Sequence, residues 1–225
     1  MNKLKKLIMS IVAAMLFVSC LTLQAQEDGE FNAYITQEYA KIGEVLDVTI
    51  ENAISTPTYT WYVDGIRKSS ESSLLIDDSM KNAIIEVEVS DGIQTISDRL
   101  MVSNLPVVFI DTENNAAITS KEDYIDANMT IQANERYADL LSDSKKSYDG
   151  LTEIRGRGNS TWGLPKKPYK LKLDKKTDLF GMGKNKHWVL LASYNDTSFM
   201  RNTISYGLSG QMGMPFCDSV WVEVV

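Results

Sequence analysis

Between residues 44 and 102 the chain alternates apolar and polar positions in short runs. Residues 44–50 place Val45, Asp47 and Thr49 against Leu46, Val48 and Ile50. Residues 59–63, 73–77, 83–90 and 93–102 repeat the habit, with Val87 and Val89 set between Glu86, Glu88 and Ser90. A period of two is the signature of strands with one buried face. Asp64-Gly65 and Asp91-Gly92 interrupt the runs where tight hairpin turns are needed. With no 3.6-residue period in between, the pattern predicts five to seven short strands and a small β-sandwich over residues 30–104. Trp61 is its expected centre.

The pattern changes at Asn104-Leu105-Pro106, which reads as a boundary. The unbroken run Val107-Val108-Phe109-Ile110 suits a strand buried on both faces. Residues 129–133 and 151–155 predict further strands, and residues 137–147 a polar loop or insertion. Residues 168–174 alternate strictly, with Tyr169, Leu171 and Leu173 on one face and Lys170 and Lys172 on the other. Residues 187–193 predict a short buried strand. Asn195 or Asp196 then offers a cap for a helix from 198 to about 212, stopped by Gly213 and Pro215. Met200, Ile204 and Leu208, four apart, give that helix an apolar face expected in the core. Residues 219–225 predict a last alternating strand. It has no turn or polar tail behind it, so residues 105–225 read as an α+β domain of which only the N-terminal part is present. Overall the expected fold is mostly β.

The first 25 residues form an address. Lys3, Lys5 and Lys6 precede an apolar stretch of about a dozen residues, too short for a comfortable membrane span but suited to a secretory signal. Two exits are open: cleavage after Ala25, or a lipobox-like Phe17-Val18-Ser19-Cys20 that would lipidate Cys20 and attach the protein to a membrane. Export places the chain at a bacterial cell surface or on the outer, periplasmic side. With Cys20 in the signal, Cys217 stands alone, which excludes an internal disulfide and predicts a small buried apolar side chain.

Charge sharpens the picture in one place. The 225-residue chain carries −7 overall, which disfavours nucleic acid as a partner. Yet ten Lys and Arg face only two Asp between residues 154 and 186. This island holds Ile154-Arg155-Gly156-Arg157-Gly158-Asn159-Ser160-Thr161-Trp162, then Lys166-Lys167-Pro168-Tyr169-Lys170-Leu171-Lys172-Leu173. A strand, a glycine-rich loop with two arginines, and a strand with lysines suit a polyphosphate: glycines admit backbone N–H groups, arginine binds oxygens in pairs, and lysine adds point charge. The spacing is neither a Walker A loop nor the kinase Gly-x-Gly-x-x-Gly. The plainer alternative is a charged hairpin whose glycines only make turns.

These residues closely resemble the spore coat protein CotH family, the CotH kinase domain. So does the later run Trp188-Val189-Leu190-Leu191-Ala192-Ser193-Tyr194-Asn195-Asp196-Thr197-Ser198 with Arg201 and Asn202. The resemblance spans roughly residues 105–225, while residues 30–104 resemble bacterial immunoglobulin-like or PKD-like modules. It implies an atypical, kinase-like N-lobe, with ATP and Mg or Mn as cofactors and protein Ser/Thr as phosphoacceptor. By that analogy Lys170 is the phosphate-contacting lysine, Lys172 its neighbour on the same face, and Arg155 and Arg157 are phosphate ligands from the loop. Arg157 and Lys172 read equally well as solvated residues. Arg201 either faces the nucleotide or pairs with a carboxylate. His187 reads as a strand-edge residue rather than a base. The family's acidic metal-binding and acceptor-orienting residues lie beyond the strand at 219–225, so no catalytic residue and no metal ligand is assigned here, and this chain is expected to be inactive by itself. The competing expectation is a non-enzymatic surface protein that binds an anionic glycan or a protein partner.

Overall fold

The computed structural model describes residues 29–136 and 148–225. The signal segment 1–25 with Cys20, and the polar stretch 137–147, lie outside the described residues. The chain is mostly β. Seven strands come first: β1 (Asn32–Ile35), β2 (Val45–Glu51), β3 (Thr58–Val63), β4 (Ile66–Ser69), β5 (Ser73–Leu75), β6 (Ile84–Ser90) and β7 (Thr95–Met101). They form a three-stranded sheet, β1-β2-β5, and a four-stranded sheet, β4-β3-β6-β7. Apolar residues of both sheets meet in one core that holds Phe31, Ile35 and Leu46 together with Trp61, Ile85 and Val87. Trp61 is fully buried and its indole Nε1 donates to the carbonyl of Glu71 at 2.9 Å. At the β3–β4 turn Asp64 and Gly65 both sit at positive φ (48° and 76°), the conformation a two-residue hairpin loop of this twist requires.

The second half is a six-stranded sheet. Its strands are β8 (Val107–Thr112), β9 (Ile125–Gln132), β10 (Tyr148–Gly156), β11 (Tyr169–Asp178), β12 (Lys184–Leu190) and β13 (Glu223–Val224), in the order β12-β11-β10-β9-β8-β13. The first five pair antiparallel with their neighbours in sequence, and β13 adds parallel to β8. One face carries Val108, Met129, Ile131, Ile154, Leu171 and Leu173 into a second core. The run at 107–110 matches its expectation over Val107, Val108 and Phe109, which are all buried.

The two halves are joined by more than a peptide link. The side-chain amide of Gln132, itself 2% exposed, receives the Met101 N–H at 2.7 Å and donates to the Met101 carbonyl at 2.9 Å. That geometry continues a strand ladder through a side chain. Arg99 bridges to Asp111 at 2.5 Å and lies 4.6 Å over the Phe109 ring. Asn134 donates to the Asn104 carbonyl at 2.7 Å. The Gln132 and Arg99 contacts tie β7 to the face of the second sheet opposite its core.

Several sequence expectations need correction. Cys217 is exposed, because the segment that carries it has no regular structure and lies on the surface. The helix, α1, runs over Arg201–Gln211 rather than from 198, since Asp196 and Ser198 bind the backbone as a turn first. Met200, Ile204 and Leu208 do not reach a core; they are exposed by 39, 59 and 55%, and α1 buries no residue. The last strand shrinks to two residues, although Val220 and Val222 do pack on the second core. Strands β1 and β4 escaped the pattern because each has only four residues, and those of β4 are mostly exposed.

Candidate functional site

Register puts the charged residues of the island on one side of the second sheet. On β10 and β11, Glu153 lies opposite Lys172, Ile154 opposite Leu171, and Arg155 opposite Lys170. Ile154 and Leu171 point into the core, so alternation turns Glu153, Arg155, Lys170 and Lys172 to the open face. Arg157 follows Arg155 by two and leaves β10 as the chain enters the glycine-rich loop, its backbone N–H bound to the Pro168 carbonyl at 3.2 Å.

The four cations are not equivalent. Lys172 is ion-paired with Glu153, and that hydrogen bond and charge raise its ammonium above the ordinary 10.5. Arg155 donates through Nη1 to the carbonyls of Lys121 and Gly156. Its guanidinium lies 5.0 Å from the Tyr124 ring, and the Lys172 ammonium lies 5.5 Å from the same ring. Lys170 and Arg157 are half-buried, and neither side chain has a partner among the described residues. Two like charges directly opposite on neighbouring strands destabilise a sheet. The Arg155–Lys170 pair is therefore a position where an anion would be stabilising.

The loop from 156 to 168 is packed rather than open. Trp162 lies against Gly156, makes an edge contact with Tyr169 at 6.1 Å, and carries Lys167 4.8 Å over its ring. Lys167 also donates to the Trp162 carbonyl at 2.7 Å. Gly156 thus makes room for an indole. Gly158 has φ +88°, a turn conformation suited to glycine.

Arg201 stands apart at the start of α1, 3.6 Å from Asp196. The Asp196 carboxylate accepts from the Ser198 hydroxyl at 2.6 Å and from the Arg201 N–H at 2.9 Å, supplying the first turn of α1 with an acceptor. The Ser198 hydroxyl, then the Arg201 N–H, hold this carboxyl below its ordinary 3.8. A lowered carboxyl stabilises the fold above its unfolded pKa, and that contribution is lost as pH falls through the folded value. The start of α1 is expected to fray in acid below about pH 4, and Asp196→Asn to remove that dependence. Amide exchange at residues 200–204 from pH 6 to pH 2.5 checks this; protection in the parent chain that does not change with pH would refute it. His187 is exposed on β12 opposite Lys172.

Toward β8 the same face turns acidic. A depression of about 530 Å³ is lined by Asp111, Glu113, Asp126, Glu153 and Asp174, with Lys172 its single cation. Among the described residues no three acidic, His or Cys groups converge where a metal ion could sit.

Residues 154–225 match the CotH kinase protein family. The CotH match begins in β10 and takes in the glycine-rich loop, β11, β12, α1 and β13, leaving β1–β9 outside it. No curated protein and no solved structure matches the chain. All five cations named from the sequence fall within the matched residues. Register brings Arg155, Lys170 and Lys172 to one face, Arg157 follows in the adjoining loop, and Arg201 stands on α1 rather than on the sheet. Sequence reasoning missed Tyr124, which nothing in the local pattern marks. It also missed Glu153, which the hairpin register would have placed beside Lys172.

Proposed function

We propose that the open face of the second sheet binds the phosphate chain of a nucleotide, as the phosphate-holding part of a CotH-type protein kinase. Lys170 and Arg157 are the direct ligands. The observation that carries this reading is the unpartnered Lys170 directly opposite Arg155, beside a second unpartnered cation, within the CotH segment. ATP is then the phosphoryl donor and a protein hydroxyl the acceptor. The Mg or Mn expected with ATP finds no converging set of ligands among the described residues, so no step is routed through a metal. What these residues do is neutralise and orient phosphate oxygens. Seven strands in two sheets around Trp61 support an immunoglobulin-like first module, and the antiparallel sheet that follows supports an N-lobe-like second one. An exported protein, lipid-anchored or free at the bacterial surface, suits both.

Titration with ADP and with tripolyphosphate tests the reading. The double variant Arg157→Ala/Lys170→Ala is expected to bind at least roughly tenfold more weakly, since each charge-assisted contact contributes about 1.5–3 kcal/mol. Lys81→Ala, on the first module, is expected to bind as the parent does. Equal binding by parent and double variant overturns the reading. Binding of a sulfated glycan, with none of nucleotide or tripolyphosphate, would instead favour a surface-binding role.

A further inference from the structure

Tyr124 sits just before β9, in a turn that leans on the basic face. Ser120 holds the turn: its hydroxyl accepts from the N–H groups of Glu122 and Asp123 at 3.0 and 2.9 Å. Its carbonyl accepts the Gly156 N–H at 2.8 Å. From there the Tyr124 ring meets two cations of neighbouring strands, Arg155 and Lys172. Arg155 is held in an under-satisfied state: its Nε is buried and has no hydrogen-bond partner among the described residues. A guanidinium has five donors in a fixed fork, and a buried donor left unmade is costly.

Register sets two like charges opposite each other here. Arg155 confronts Lys170 across the strands, and its guanidinium lies against the Tyr124 ring and the Lys121 carbonyl. Lys172 confronts a carboxylate, and closes on Glu153. An anion between the strands would screen that repulsion and offer both cations charge-assisted contacts with its oxygens.

Resting on the anion-site reading above, we propose that Tyr124 is a gate on that site: its ring, with Glu153, holds Arg155 and Lys172 closed, and its outward swing turns a two-cation site into a four-cation one for a polyphosphate chain. Arg157 and Lys170 make the first contact. Arg155 then brings its orphaned Nε to a phosphate oxygen.

The experiment is a titration of the full chain with tripolyphosphate at low and high salt. Tyr124→Ala is expected to bind roughly five- to tenfold tighter, the scale of one added charge-assisted hydrogen bond net of the contacts given up. Its affinity is also expected to fall more steeply with salt, because more charge is engaged. Tyr124→Phe keeps the ring and should match the parent, while tighter binding in Tyr124→Ala is the result that loss of packing alone would not produce. Glu153→Gln releases Lys172 and should tighten binding about threefold, by the same reasoning, so the gate is tested even where Tyr124→Ala fails to fold. Weaker or unchanged binding in Tyr124→Ala and Glu153→Gln, with the parent binding normally, overturns the gate and leaves the anion site standing. No binding by the parent or any variant overturns both.

Discussion

Trp61→Ala is expected to lower the stability of the first module by about 3–5 kcal/mol, the range for removing a large aromatic side chain from a core. Trp61 has no exposed surface, and it stands on β3, the strand between β4 and β6. Its ring lies in the core shared by both sheets, so its loss separates Ile85 and Val87 from Phe31 and Leu46. The Glu71 carbonyl also loses its indole donor. Neighbouring strands cannot close the gap cheaply, because β3 is fixed in register to β6 over six residue pairs. Urea unfolding of parent and variant, followed by circular dichroism, measures the loss. A decrease under about 1 kcal/mol would mean that the sheets are not held by this residue. The effect should reach the second sheet through Arg99 and Met101, which grip Asp111 and Gln132.

How much of this could be read in advance depended on whether a residue's partner was local. The strands of the first module were legible because Val45–Glu51 and Ile84–Ser90 alternate over seven residues each. The face shared by Lys170 and Lys172 was legible for the same reason, since a pleat fixes it. Their different fates were not. Lys172 closes on Glu153 and Lys170 does not, and only the β10–β11 register decides that. The helix shows the opposite failure. Met200, Ile204 and Leu208 do share a stripe, but a stripe predicts burial only where another element covers it. Among the described residues none does. Tyr124 is the hardest case, a half-buried aromatic in a turn, given its place by strands some thirty and fifty residues on.

From sequence the glycines of the loop either admit phosphate to backbone N–H groups or make turns; Gly156 does a third thing, making room for an indole. It lies at the end of β10, and no positive φ marks it. Backbone freedom is therefore not what the position requires. A methyl group there would meet Cη2, Cζ3 and Cζ2 of Trp162, the last at 2.8 Å, well inside the ~3.5 Å at which carbon atoms pack. The indole cannot step aside freely, because Lys167 holds its carbonyl and its ring and Tyr169 meets its edge. Gly156→Ala is expected to destabilise the second module by about 1–3 kcal/mol, the cost of overpacking. It should also displace the loop that carries Arg157, and so weaken tripolyphosphate binding. A double-mutant cycle isolates the cause: in a Trp162→Ala background the same substitution should cost under about 0.5 kcal/mol, since contacting residues couple and the obstacle is gone. Equal costs in both backgrounds would assign the glycine to the turn rather than to the indole.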